Sequence, residues 1–290
     1  MGYYQSIQRA IDYIEEHLWR DTGVGEISAL AGYSVPHFYR VFGGMVGMSV
    51  KEYVRRRRLS CAAHQIVMTT RNIIDIALDA GYESHEAFTR TYKAVFGETP
   101  TGTRARGTVP ASFEKADLLS IMRKRKGSNM NPKFEERGEI KLVGVARRIN
   151  QGEQVRNDVI GKVREEFFAM AGAIEGRADN LFYAAYDYQP EDLEKDDDEI
   201  DYTYYYCVRV KSFVNVPDGM IKKTIAPAKY AVFSYDAADE TLCGEKIDMP
   251  VYDYIDGIWL PESGCELTDS ADYEAVDRAD GRIDFCVSIR

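Results

Sequence analysis

The chain has 290 residues, enough for two domains of ordinary size, and its apolar content of 45% excludes a disordered chain. Its net charge of −10 conceals an uneven distribution: residues 1–130 hold 18 Lys and Arg against 13 Asp and Glu, whereas residues 131–290 hold 19 against 34. No run of about 18 apolar residues occurs, which excludes a transmembrane helix. A basic half followed by an acidic half predicts two domains with different partners.

The chain starts with an amphipathic helical pattern that lacks the basic and apolar segments of a signal peptide, so a cytoplasmic location is expected. Its five cysteines form no CxxC pair, and an odd number argues against a disulfide framework or a structural zinc site. The four histidines are too scattered for metal ligation. We therefore expect no metal, no cofactor and no membrane association.

Residues 4–106 predict one helix after another, and they contain an internal repeat. The segment EISALAGY at 26–33 matches DIALDAGY at 75–82, and a serine follows each Gly-Tyr pair. The matched positions beyond the serines are Phe38 and Phe88, Arg40 and Arg90, and Gly47 and Gly97. A duplicated pattern of this kind predicts two copies of one structural unit.

Each copy has the pattern of a helix-turn-helix. A short apolar helix ends at a glycine, which tolerates the left-handed conformation of a tight turn, and Ser34 and Ser84 are suitable N-caps for the next helix. That second helix would bury its aromatic face and point its other face outward. The outward positions, predicted to contact DNA bases, are Pro36, His37, Tyr39 and Arg40 in the first copy and His85, Glu86, Thr89 and Arg90 in the second. Pro36 has no donor, so its contribution would be apolar.

A long helix with a basic face, residues 49–67, is predicted between the copies. It would hold two recognition helices at a fixed separation, so that they enter successive major grooves about 34 Å apart. The run Arg55 to Arg58 would neutralise phosphate charge on the way. The alternative is that each helix pair is only an all-α core with a charged surface. Two matched copies and a basic spacer favour DNA binding.

Residues 107–132 lack a sustained apolar stripe and include the run RKRK at 123–126, so they are interpreted as a linker. After residue 138, segments rich in β-branched and aromatic residues predict strands, with an acidic exposed loop at 189–201. A fainter repeat relates YAAYD at 183–187 to YEAVD at 273–277. The second half is therefore predicted to be a duplicated α+β domain.

The second half contains twelve tyrosines. Strand alternation places Tyr204 and Tyr206 on one face, and Tyr205 and Cys207 on the other. Glu274 lies in the second copy of the fainter repeat, and a buried carboxylate among aromatic rings would suit a cationic, partly apolar ligand. The alternative is that the tyrosines are half-buried sheet residues and Glu274 lies on the surface.

Residues 1–106 resemble the AraC family of transcription regulators. The resemblance is carried by Ile27–Phe42 in the first copy, and in the second by Ile73–Ala77, Gly81-Tyr82, Ser84, Phe88, Arg90, Phe96-Gly97, Thr99-Pro100 and Arg104. It implies an all-α domain with two helix-turn-helix units that bind double-stranded DNA. It also implies that base contacts come from the exposed faces of both recognition helices.

Residues 133–290 resemble the GyrI-like effector-binding domains, through IAPAKYAVF at 225–233, WLPESG at 259–264, DYEAVD at 272–277 and the last strand. The resemblance implies an α+β domain of two β-α-β-β modules around a groove, with Glu274 and Trp259 lining the pocket. The predicted ligand-binding residues are Glu274, Trp259, Tyr183, Tyr204, Tyr206 and Tyr252. The predicted chain is thus a multidomain protein with domains at 1–106 and 133–290.

The favoured function is transcription control by a small-molecule effector, with activation expected from family analogy and RNA polymerase as a candidate partner. Two other classes stay open. The second domain would be a hydrolase if Glu274 activated water, or a protein-binding module if it bound no small molecule. No catalytic triad, metal cluster or phosphate-binding loop occurs in the sequence. The ligand, the operator, the sign of regulation and the oligomeric state are left open.

Overall fold

The computed structural model describes residues 2–20, 22–118, 131–189, 191–192, 199–246, 249–268 and 270–290. The chain divides into two compact units. The first comprises Met1–Phe38 and Val46–Lys124, and the second comprises Tyr39–Met45 and Arg125–Arg290. The basic run at 123–126 and most of the acidic loop at 189–201 lie outside the described residues.

Helices fill the described part of residues 2–106. They are α1 (Tyr3–Glu16), α2 (Val24–Ala31), α3 (Val35–Val46), α4 (Val50–Met68), α5 (Ile73–Asp79), α6 (His85–Phe96) and α7 (Pro100–Arg106). A buried cluster joins α4, α5 and α6 through Leu59, Ile66, Ile76, Phe88 and Tyr92. The all-α prediction for this half is confirmed.

The two copies of the sequence repeat form the same turn. Gly32 after α2 has φ +82°, and Gly81 after α5 has φ +84°, values that favour glycine. In both copies the next residue closes the turn, because Tyr33 N donates to Ser28 O over 3.0 Å and Tyr82 N donates to Ala77 O over 3.1 Å. The repeat is therefore a repeat of backbone geometry as well as of sequence.

The structure divides the arginine run on α4 into two kinds of side chain. Arg55 and Arg56 are exposed and pair with Glu52. Arg57 instead donates from Nε and Nη2 to the two carboxylate oxygens of Glu15, over 2.7 and 2.9 Å. Arg58 donates from Nε to Leu18 O over 2.7 Å. The prediction that all four arginines face phosphate is wrong for the last two, which hold α1 and its C-terminal turn against α4.

The described beginning of the predicted linker packs on the first unit. Phe113 N donates to Ser60 Oγ over 2.9 Å, and Ala116 N donates to the Tyr53 hydroxyl over 3.2 Å. Ala116 and Leu118 are buried. The sequence showed no regular apolar stripe here because residues 108–117 form no helix or strand, and only single side chains of the segment are buried.

The described part of the second unit contains one antiparallel sheet of ten strands. They are β1 (Lys133–Arg137), β2 (Ile140–Asn150), β3 (Arg177–Asp187), β4 (Asp201–Val210), β5 (Ile221–Ile225), β6 (Ala228–Asp236), β7 (Thr241–Leu242), β8 (Glu245–Lys246), β9 (Tyr273–Val276) and β10 (Arg282–Ile289). The helices are α8 (Gln151–Asn157), α9 (Val159–Met170), α10 (Val251–Tyr254) and α11 (Leu260–Ser263), with a π-helical turn at Ile255–Trp259 between the last two.

The two predicted β-α-β-β modules are confirmed. One is formed by β2, α8 with α9, β3 and β4, and the other by β6, α10 with α11, β9 and β10. A further strand precedes each module and pairs with the other module. Strand β1 precedes β2 and pairs with β6, whereas β5 precedes β6 and pairs with β2. Only residues 138–139 connect β1 to β2, so the sheet must curl to bring the β2 and β6 ends of the strand order close together.

The modules meet where β3 pairs with β9. Tyr183 is opposite Ala275, Ala185 is opposite Tyr273, and Ala184 is opposite Glu274. The fainter sequence repeat equates Tyr183 with Tyr273 and Ala184 with Glu274, so this register is the exchange expected around a local two-fold axis. The axis passes between Ala184 and Glu274.

Among the described residues, no helix is long and apolar enough to cross a membrane. The same part of the chain contains no group of three or more His, Cys, Asp or Glu side chains arranged to hold a metal ion.

We expect Arg57→Ala to lower the free energy of unfolding by about 2 kcal/mol, because it leaves the half-buried Glu15 carboxylate and the Phe113 carbonyl without their donor. Arg55→Ala, which removes the same charge from an exposed position of the same helix, should change it by less than about 0.5 kcal/mol. Urea denaturation followed by far-ultraviolet circular dichroism measures both. Equal effects would contradict the structural role of Arg57.

Candidate functional site

The second recognition helix, α6, presents a polar face. Its N-cap Ser84 accepts a hydrogen bond from Ala87 N over 3.1 Å, and Phe88 and Tyr92 turn toward the core. Among the predicted base-contacting residues, Glu86 and Arg90 are exposed, and His85 and Thr89 are half-buried. Lys93 is also exposed and lies on the face of Glu86 and Arg90, which its helical spacing indicates but the sequence reasoning missed.

The first recognition helix, α3, is less open. Pro36 and His37 are half-buried near its start. The His37 ring lies 4.5 Å from the Tyr33 ring and 5.9 Å from the Tyr3 ring, measured between centroids. His37 therefore belongs to an aromatic cluster of the first unit, a placement that its position after Pro36 did not indicate.

Tyr39 and Arg40 belong to the second unit. Tyr39 is buried, and Arg40 Nε donates to Asp256 Oδ1 over 2.7 Å and also pairs with Asp272. Burial raises the pKa of Asp256 to about 6, although the Arg40 charge opposes this shift. In this arrangement the Arg40 guanidinium is bound by Asp256 and Asp272. Arg40 can therefore contact a DNA base only if these two ion pairs break.

A row of side chains crosses the second unit on the face where Glu274 lies. Residues directly opposite each other in antiparallel strands share a face of the sheet. The row, in the order of the strands, is Val145, Tyr206, Ala184, Glu274, Phe285 and Phe233. Val145, Ala184 and Tyr206 belong to the cluster that packs against α9, so this face carries the module helices.

Glu274 is the acidic member of this row, and it is only 8% exposed. Its Oε1 accepts a hydrogen bond from the Tyr252 hydroxyl over 3.5 Å, a long contact. Within the described residues no ion pair reaches its carboxylate. Burial raises the pKa of Glu274, and the charge of Arg164 opposes that shift. Glu274 is therefore a desolvated carboxylate whose negative charge is poorly compensated.

Tyrosines surround this carboxylate. The Tyr204 ring centroid lies 5.3 Å from that of Tyr186 and 6.3 Å from that of Tyr206. Burial first, and the Glu274 charge second, raise the pKa of Tyr186 and of Tyr252. The structure thus brings together Glu274, Tyr204, Tyr206 and Tyr252, and it adds Tyr186, which the sequence reasoning missed.

Trp259 lies at one end of the row. It ends the π-helical turn, and its ring meets the Phe233 ring edge-on, with centroids 4.9 Å apart. In strand order Phe233 is two strands from Glu274. Trp259 therefore forms the apolar end of the same face rather than a direct contact with the carboxylate.

Tyr183 does not belong to this site, and its assignment is corrected. It packs with Cys207, Tyr230 and Tyr273 on the other face of the sheet, and its hydroxyl donates to Asp179 Oδ2 over 2.9 Å. The reason is strand alternation: Tyr183 is next to Ala184, which is on the face of Glu274. The sequence held this signal, because Tyr183 matches Tyr273, which directly precedes Glu274 in a strand.

Family models match both halves of the chain, a helix-turn-helix domain over residues 27–106 and a GyrI-like small molecule binding domain over residues 130–282. The regulatory protein SoxS of Salmonella typhimurium is 36% identical over 106 residues, which are 37% of this chain and 99% of SoxS. The chain belongs to the AraC-type helix-turn-helix family and carries a GyrI-like domain.

Two further similarities were found. The uncharacterized HTH-type transcriptional regulator YbfP of Bacillus subtilis is 42% identical over 104 residues, 36% of this chain and 35% of YbfP, so the chain matches only about a third of that relative. The solved structure of SAV2435 bound to tetraphenylphosphonium aligns with 56% of this chain and 94% of its own, at 10% identity and a TM-score of 0.40. Glu274 and the other members of its row except Phe285 lie within the residues that match the GyrI-like domain.

We expect Glu274→Gln to raise the melting temperature of the ligand-free protein at neutral pH, because it removes a buried charge. Since the pKa of Glu274 is raised in the folded state, folding favours its protonated form. Ionised Glu274 therefore lowers the free energy of unfolding. This loss of stability develops as the pH rises above 4.5, the ordinary pKa of the group, and through its raised pKa in the folded state. Melting curves should thus differ between variant and wild type at neutral pH and converge below pH 4.5. A constant difference across this range would contradict a buried, titrating Glu274.

Proposed function

We propose that this protein is a sequence-specific, DNA-binding transcription regulator whose GyrI-like domain binds a small cationic, partly aromatic ligand that changes its DNA binding. The buried and poorly compensated carboxylate of Glu274, surrounded by tyrosine rings, is the observation that carries the ligand part. A desolvated carboxylate attracts a cation strongly, and ring faces add cation–π attraction. Membership in the AraC-type family supports the DNA-binding part.

The DNA-binding part rests on the helix-turn-helix repeat. Helix α4 has 19 residues and is therefore about 28 Å long, which suits a spacer between two recognition helices. On α6, Glu86, Arg90 and Lys93 present donors and acceptors on one exposed face. Arg90 is the residue with the geometry for a bidentate contact to a guanine edge.

A ligand changes DNA affinity only by as much as its own affinity differs between the free and the DNA-bound protein. Tyr252 is a candidate for transmitting this difference. It contacts Glu274 through its hydroxyl, and its ring centroid lies 5.9 Å from the Arg40 guanidinium carbon. A ligand that displaces the Tyr252 ring would therefore also disturb Arg40, one of the proposed base-contacting residues.

Activation rather than repression, with RNA polymerase as a partner, is part of the proposal and rests on family analogy alone.

Selection of binding sites from a random duplex library tests the DNA-binding part. We expect Arg90→Ala to lose about 1–3 kcal/mol at the site that wild type selects, with relaxed preference at the bases it contacts. Arg282→Ala removes an exposed arginine from the GyrI-like domain and should select the wild-type sequence. An unchanged sequence preference in Arg90→Ala would contradict the assignment. Transcription in vitro from a promoter with the selected site then gives the sign of regulation.

Calorimetric titration with benzyltrimethylammonium, a small aromatic cation, tests the ligand part. We expect the wild type to bind it and Glu274→Gln to lose most of the affinity, because the counter-charge is gone. Glu262→Gln removes an exposed carboxylate of α11 and should bind like wild type. Saturating cation should also shift the affinity for the selected DNA in the wild type but not in Glu274→Gln. Equal binding by Glu274→Gln and wild type would refute the role of Glu274.

A further inference from the structure

A basic side chain lies among the same tyrosines that surround Glu274. Arg164, on α9, has its guanidinium carbon 5.3 Å from the Tyr206 ring centroid and 5.9 Å from the Tyr204 ring centroid. Its Nε donates to the Tyr204 hydroxyl over 2.9 Å. Arg164 is half-buried, and its pKa is raised because the tyrosines around it more than offset its burial. Neither the sequence pattern nor the family resemblance pointed to this residue.

Arg164 and Glu274 act on each other without forming a salt bridge. The Arg164 charge lowers the pKa of Glu274 against the larger effect of burial. Nevertheless, within the described residues no ion pair of 4.0 Å or less joins the two groups, and the Nη groups of Arg164 have no carboxylate partner there. The site therefore holds one negative and one positive group that are not paired with each other, and the positive one contacts the Tyr204 and Tyr206 rings.

The two charges come from different modules. Glu274 is on β9 of the second module, and Arg164 is on α9 of the first. The local two-fold axis would place a second carboxylate at position 184, but alanine stands there. The two modules are thus related by their strand pairing but differ in charge at this site, so a bound molecule meets opposite charges toward its two ends.

We propose that the ligand is a zwitterion, whose cationic group lies against Glu274 and whose carboxylate or similar anionic group is bound by the Nη donors of Arg164. This deepens the proposed function and rests on it. A plain cation would gain attraction from Glu274 but would lose part of it to repulsion by Arg164. A zwitterion turns that repulsion into a charge-assisted, bidentate hydrogen bond, which also fixes its orientation.

Three probes that share one phenyl ring separate these cases: benzyltrimethylammonium as the cation, N,N,N-trimethylphenylalanine as the zwitterion and 3-phenylpropionate as the anion. Calorimetric titrations use the full chain. For the wild type we expect the zwitterion to bind at least about tenfold more tightly than the cation, because it adds a charge-assisted contact. The anion should bind most weakly, because Glu274 repels it.

Arg164→Gln provides the decisive comparison. Its affinity for the zwitterion should fall about tenfold or more, whereas its affinity for the cation should stay equal or rise, because a like charge has been removed. A loss of packing would weaken both probes together, so only an electrostatic role gives changes in opposite directions. Arg164→Lys keeps the charge and should retain part of the preference, which preserves the test if Arg164→Gln melts at a lower temperature than wild type.

The outcomes separate the two proposals. If wild type binds the cation as tightly as the zwitterion and Arg164→Gln leaves their ratio unchanged, the zwitterion inference is overturned while the cation site stands. If the folded wild type binds neither cation nor zwitterion, the proposed small-molecule function is itself overturned, and the inference with it. If Arg164→Gln weakens cation and zwitterion equally, Arg164 only supports the packing of Tyr204 and Tyr206, and the inference fails.

Discussion

The antiparallel pairing of β3 with β9 is the constraint on which the second half of this protein depends. It joins two modules into one sheet, and its register places Ala184 directly opposite Glu274. Because opposite residues share a face, Glu274 is placed among the side chains of both modules and under the helices that cover them. A shift of one residue would turn Glu274 to the other face of the sheet, where Tyr183 lies, and would remove the site.

The small side chain at position 184 is important because Ala184 is directly opposite Glu274. Ala184 is buried beside Tyr206, and its methyl group leaves the space opposite Glu274 to the tyrosine rings. A carboxylate at both positions of the two-fold axis would create repulsion between like charges at short distance. The duplicated module thus keeps one acidic position, and the first module contributes an arginine from its helix instead.

The site is built at a cost to the stability of the ligand-free protein. A buried carboxylate with one long hydrogen bond is unfavourable, and the raised pKa of Glu274 expresses this. A ligand cation would restore the missing charge compensation, so binding energy comes partly from relieving this penalty. The first half shows the opposite case, because the Arg57 guanidinium is fully engaged by Glu15 and Phe113 and is thereby committed to structure.

The elements that could be predicted from the amino-acid sequence are those whose signals are local. The two Gly-Tyr turns follow from glycines that adopt positive φ, and the separation of Tyr204 and Tyr206 from Tyr205 and Cys207 follows from strand alternation.

The face of each strand that helices cover became visible in the folded protein, because it depends on pairing between β3 and β9, about ninety residues apart in the chain. Tyr183 was assigned to the wrong face although its match to Tyr273 in the fainter repeat indicated the face opposite to that of Glu274, and Tyr186 was missed. The tertiary structure also decided which arginines of α4 are structural, since the long side chains of Arg57 and Arg58 reach partners from distant segments. Charge and helical position are local properties, whereas the partner of a charge is not.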